Sequence, residues 1–296
     1  MPRIPEYCYL AFILAMLLII PPVSAYEEKV IIYESDFTQD PGFITNNPSR
    51  YYWDVDGERY RFETEGGTNG YAYVPLEIGD TSFTLEYDVI IESINQDGAL
   101  RFGITSTEMD ISRGVNILGI FSNGRDGRVM SLRVIDQNNH LFETSSLFGS
   151  YCAGQPGCDT KRFEENITYH VVMRYNKEHQ QCDIKVTDRT PGGLSWGYYV
   201  PLARDLYALN RLAITTKGDY VIGNNAVGYL SNVQLSTFRE VVPTPEPTTL
   251  PTTAVPPPPT TIPTPTPTEA PLNALVLCGG LGIAAGLTAL QRRGQQ

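Results

Sequence analysis

Histidine is nearly missing from this chain, at three in 296 residues, and none stands at zinc-site spacing from a cysteine. That excludes the usual structural-zinc frameworks. Basic residues are also scarce, 22 Lys and Arg against 33 Asp and Glu, which leaves a net charge of −11. Nucleic acid and anionic lipid both require clustered cations, so the composition argues against either as a partner. There is no H-E-x-x-H, no phosphate-cradling glycine loop and no Cys/His nucleophile pair. Helical periodicity and internal repeats of fixed period are missing as well, which excludes helix bundles, solenoids and propellers.

What the chain does have is a marked asymmetry between its ends and its middle. Arg3, an apolar run from Tyr9 to Ile20 and the small-x-small site Val23-Ser24-Ala25 read as a secretory signal peptide over residues 1–25. At the other end, 22 of the 31 residues from Val241 to Pro271 are Pro or Thr. Such a tract has too few apolar side chains to offset the entropy of ordering, so residues 241–271 are expected to form a disordered stalk, extended at about 3.1 Å per residue. Residues 272–290 carry no formal charge and are followed by Arg292 and Arg293. Nineteen residues at about 1.5 Å each span roughly 28 Å, enough for one transmembrane helix, with 291–296 as a short basic cytoplasmic tail. The expectation is a cell-membrane protein with an extracellular-facing ectodomain over residues 26–240.

That ectodomain holds Cys152, Cys158 and Cys182. An oxidising exterior favours a bridge, and Ala-Gly-Gln-Pro-Gly between the first two is able to turn back on itself, so Cys152 pairs with Cys158 in the favoured reading. The competing pairing joins Cys182 to one of them. Asn166-Ile167-Thr168 is the single N-glycosylation acceptor.

Period-2 alternation dominates residues 26–240. From Ser82 to Glu92, Phe83, Leu85, Tyr87, Val89 and Ile91 fall on one face, with Thr84, Glu86, Asp88 and Glu92 on the other. Similar runs recur about a dozen times between turn signals such as Asp56-Gly57, Asn123-Gly124 and Lys217-Gly218. Strands without crossover helices predict an all-β fold of two packed antiparallel sheets.

Four local patterns bring in a family. They are Tyr33-Glu34-Ser35-Asp36-Phe37, the stretch Asn46 to Asp54, the hairpin Tyr169–Asn176 returning through Cys182–Val186, and Gly228-Tyr229-Leu230-Ser231-Asn232-Val233-Gln234-Leu235. Together they resemble the concanavalin A-like (laminin G-like) lectin and glucanase superfamily. The resemblance implies a jelly-roll sandwich whose first and last strands lie together. The C-terminal layout similarly resembles the anchoring segments of archaeal cell-surface proteins. In place of their motif ahead of the helix stands Thr268-Glu269-Ala270-Pro271, so retention as a membrane helix is the favoured reading.

Glycosidases of that superfamily alternate two glutamates and an aspartate along one strand, and Glu86-Tyr87-Asp88-Val89-Ile90-Ile91-Glu92 comes close. The acid's position falls on Ile90 or Ile91, neither of which donates a proton. Retention needs carboxyl groups about 5–5.5 Å apart, whereas Glu86 and Glu92 are too remote along a strand. The expectation is a protein that is not an enzyme. Asp54-Val55-Asp56-Gly57-Glu58 begins like a calcium loop but lacks the later bidentate acid and reads better as a hairpin turn. No cofactor is expected, with calcium as the alternative.

Sugar recognition employs flat aromatic rings together with polar side chains. Trp196 and Tyr198 share a strand face after the flexible Pro191-Gly192-Gly193, and Glu86 and Asp88 share another. These four are the candidate ligand-binding residues, in a carbohydrate-binding or adhesive module whose partner is a glycan or another surface protein. The second reading is a structural envelope component without a dedicated ligand. Trp53 is assigned to the core, and His170 and Arg174 share one face of their strand.

Overall fold

The computed structural model describes residues 26–146, 162–193 and 195–241. The expected signal peptide, the expected Cys152–Cys158 pairing, the Pro/Thr tract and the apolar C-terminal segment lie outside the described residues.

One strand shows how the sandwich is built. In β6 (Phe83–Ile94), Phe83, Leu85, Tyr87, Val89 and Ile91 are all at most 1% exposed and point inward. Glu86, Asp88 and Glu92 point the other way, as the alternation predicts. β6 lies at the centre of an eight-stranded antiparallel sheet. One side is formed by β11 (Thr168–Asn176), β12 (Gln181–Asp188) and the edge strand β13 (Ser195–Pro201). On the other side is β15 (Asn225–Val241), followed by β4 (Arg59–Glu65) and β3 (Tyr51–Asp54). The 17-residue β15 is long enough to serve two partners in series, pairing β4 with its first half and β1 (Tyr26–Ser35) with its second. The first and last strands therefore lie together, as the resemblance implies.

The second sheet has seven strands in the order β10 (Leu141–Ser145), β9 (Gly127–Ile135), β8 (Asn116–Gly124), β7 (Ala99–Thr105), β14 (Arg211–Thr215), β5 (Tyr71–Pro75) and β2 (Ile44–Thr45). Its inward side chains meet those of the first sheet in one continuous core running from Phe37 to Leu235. Tyr87 crosses the gap to pack edge-on against Phe102, ring centroids 4.8 Å apart. Gly119 makes room for it, because a Cβ there would stand 2.6 Å from the Tyr87 hydroxyl. The fold is thus an all-β jelly-roll sandwich. Residues 26–241 hold their own core and close their own sheets, the criterion for a unit that folds alone.

Among the described residues, no helix is long and apolar enough to cross a membrane. Cys182 is a free thiol inside the core, where burial pushes its pKa up. Trp53 is partly buried against the core and donates its indole N–H to the Phe37 carbonyl at 2.8 Å. Asp54 to Glu58 form the β3–β4 hairpin, in which Asp54 binds Arg59 Nε at 2.9 Å.

The outer faces of the two sheets differ. That of the seven-stranded sheet is roofed by the 106–115 loop, whose Ile111 joins Ala99, Leu118 and Ile120 in a second apolar cluster. Thr215 Oγ1 and Arg133 Nη1 tie the loop down by donating to the carbonyls of Met109 and Ile111. On the same sheet, Arg101 of β7 and Asp219 form a mostly buried ion pair at 2.7 Å. The outer face of the eight-stranded sheet has an open polar groove.

Candidate functional site

Asp88 anchors this groove. Strand pairing sets His170 of β11 on one side of it and Ser231 of β15 on the other. β15 bulges between Ser231 and Gln234, and Asn232 takes a left-handed φ of 50°, a conformation that asparagine tolerates better than most residues. The bulge turns the Asn232 amide onto Asp88, donating at 2.9 Å. His170 Nδ1 lies 2.8 Å from the same carboxylate, and Arg189, arriving just after β12, donates at 3.2 Å. A carboxylate that is 7% exposed must be paired in this way, and Asp88 has three partners.

Glu86, two residues along the same face, is much freer. Its nearest basic side chains are Lys29 at 3.7 Å and His170 Nε2 at 3.9 Å, both beyond hydrogen-bond reach. Beside it, Gln234 accepts from Lys29 and donates to Glu34, each at 2.6 Å. The far wall is the 36–41 loop after β1. Phe37 plugs it into the core with a φ of 65° and no exposed surface. Asp36 and Asp40 cap the loop's own backbone, accepting from the Thr38 and Gly42 N–H groups. Hydrogen bonds from Thr38 hold the Asp36 carboxyl below its usual range. Tyr33 donates to the Pro41 carbonyl, and its burial pushes the phenol up to about 12. Between these walls lies a groove of about 670 Å³, lined by Glu86, His170, Asn232 and Gln234 on the sheet side.

The four candidate residues do not converge. Glu86 and Asp88 share the outer face, as the alternation implies. Trp196 and Tyr198 do share a face, but it is the inner one. Their register partners are Val186 and Ile184, which are both core residues, and Trp196 is 2% exposed. Tyr198 is only partly buried and packs against the core. Neither therefore forms a stacking platform beside Glu86. Trp196 instead walls a separate cavity of about 370 Å³ with Met130, Tyr169 and Val186. The aromatic of this strand that faces outward is Tyr199, at 50% exposure and stacked on Tyr198.

Sequence reasoning missed Asn232, Gln234, Lys29, Arg189 and the 36–41 wall as site components. The only local cue was Asn232 itself, a turn-forming residue inside an otherwise regular strand pattern. Asn166 is exposed just before β11, and its side-chain amide donates to the Glu92 carbonyl at 3.5 Å. Among the described residues no cluster of three or more His, Cys, Asp or Glu is placed to hold a metal ion.

Compared by sequence, the chain matches no family profile and no curated protein. Compared by structure, it is similar to a seed lectin of Lotus tetragonolobus, at 11% identity and a TM-score of 0.47, over 74% of this chain and 100% of that one. Lectin I of Ulex europaeus, solved with the methyl glycoside of α-L-fucose, gives 12% identity and a TM-score of 0.44, over 71% and 97%. The CBM2 module of the evolved Dit protein of Lactobacillus casei BL23 phage J-1 gives 12% and 0.43, over 72% and 97%.

Proposed function

We propose that the protein is a non-enzymatic carbohydrate-binding module, displayed at the cell surface on its Pro/Thr stalk and C-terminal anchor. The observation that carries this reading is the open groove beside Glu86. A sheet face that is merely structural is roofed in this molecule, whereas this one is concave, polar and held rigid by Asp88 and Phe37. Its polar groups suit sugar hydroxyls, which both donate and accept. Glu86 accepts, and the Gln234 amide can do both. At about 670 Å³ the groove has room for one or two sugar units.

The same geometry argues against hydrolysis. Asp88 is saturated by His170, Arg189 and Asn232, and Glu92 is engaged by Arg61 at 3.0 Å. Glu86 is left without a second free carboxyl group on its own strand, which supports the non-enzymatic reading. Glycan-array screening of residues 26–241 tests the proposal. Binding that disappears in Glu86→Gln, with no release of reducing ends from the bound glycan, is the expected result. An array without hits, or hits that Glu86→Gln retains, would remove this site from the account.

A further inference from the structure

The segment Tyr220-Val221-Ile222, between β14 and β15, exposes three consecutive large apolar side chains, at 77%, 53% and 85%. Its neighbours are polar, and its root is rigid. Asp219 is held by Arg101 at 2.7 Å, and its own carbonyl accepts from Gly67 N at 2.7 Å. On the other side Asn224 accepts from Gly66 N and donates to the Asp97 carbonyl at 2.7 Å, while Asn95 Nδ2 donates to Gly223 O at 2.8 Å. A clamped loop has little freedom to fold its apolar side chains back onto the protein. Their exposure is built in.

We propose that this tip inserts into the headgroup region of an uncharged or zwitterionic lipid bilayer. Three arguments select that occupant. The first is area, since these side chains expose only a few hundred Å², against roughly 800 Å² per partner in a stable protein interface. A convex tip meeting a second tip buries less still, whereas a deformable lipid surface wraps it. The second is charge. The tip and the adjoining loops 66–69 and 95–98 contain no Lys or Arg, so attraction to anionic headgroups is not part of the design. The third is composition and place. Tyrosine with two aliphatic neighbours suits an interface that is wet above and apolar below. The tip precedes Asn225, where β15 begins, whereas Tyr26 pairs with Val241 at the strand's far end. Both chain termini of the domain therefore leave from the opposite pole, about 50 Å away at the rise of a strand, and neither obstructs the tip.

Sedimentation of residues 26–241 with sucrose-loaded phosphatidylcholine vesicles tests this directly. The expected result is binding that added phosphatidylglycerol does not strengthen and 0.5 M salt does not remove. Ile222→Asp should weaken it by about tenfold or more, the scale of one buried aliphatic side chain, with the thermal midpoint unchanged. No sedimentation, or sedimentation indifferent to Ile222→Asp, overturns the proposal. So does concentration-dependent dimerisation without vesicles that Ile222→Asp abolishes, because the occupant is then a second copy of the chain. Glycan binding in the Glu86 groove is read separately and is expected to survive Ile222→Asp.

Discussion

The outer faces of the two sheets started from the same backbone geometry and were finished in opposite ways. On the seven-stranded sheet, outward Leu118 and Ile120 are nearly as buried as core residues, because the 106–115 loop lies over them and Arg101 is neutralised by Asp219. On the eight-stranded sheet the outward residues at the same depth are Glu86, Asp88 and His170, with an open groove above them. One face has been turned into a second core, and the other has been kept open and made stiff. A buried network therefore has two uses in this fold. Arg101–Asp219 fastens the loop before β15 to β7, and Asp88 with its three donors secures a floor.

Mutations should separate the two. The largest effect is expected from Asp219→Ala, which strands the mostly buried Arg101 guanidinium without its partner. Burial already holds the pKa of Arg101 below its usual value, so loss of its partner should cost about 3–5 kcal/mol in urea unfolding. A loss under about 1 kcal/mol would mean that water reaches Arg101 easily once its partner is gone. Asp88→Ala comes next. It leaves three donors facing a small void, so about 1–3 kcal/mol of stability should go, and glycan binding with it as His170 and Asn232 lose their positions. Glu86→Gln is expected to change stability by less than about 0.5 kcal/mol while abolishing binding, since its carboxylate makes no short bond in the free protein. Equal losses of stability from Asp88→Ala and Glu86→Gln would erase the distinction between floor and ligand contact. The smallest effect concerns calcium. Asp54 is already bonded to Arg59, so the melting midpoint should be the same in calcium and in chelator, and an upward shift with calcium would reinstate a cation site.

Much of the fold could be read from alternation because apolar and polar residues separate cleanly wherever a strand has one wet face. The alternation over Ser82–Glu92 matches β6, observed at Phe83–Ile94, and the Asp54–Glu58 turn is a hairpin as its residues imply. β10 is not legible in this way, because Leu141-Phe142-Glu143 at a sheet edge carries too short an apolar pattern to stand out. The site was half legible. The parity of β6 sent Glu86 and Asp88 outward correctly, but parity alone does not say which face of Trp196-Gly197-Tyr198-Tyr199 is wet. Only the pairing of β13 with Val186, Ile184 and Cys182 decides that Trp196 and Tyr198 go in and Tyr199 out. The groove's far side depends on a bulge at Asn232 and a left-handed Phe37, neither of which has a periodic signature.

The central claim is that ligand recognition belongs to the open face of the eight-stranded sheet, and amide chemical-shift mapping of residues 26–241 with an array-identified glycan tests it most directly. The account predicts saturable shifts concentrated in residues 33–41, 86–88, 170 and 232–234. Shifts centred on 195–199 and the cavity beside Trp196, with residues 86 and 232–234 unmoved, would contradict it.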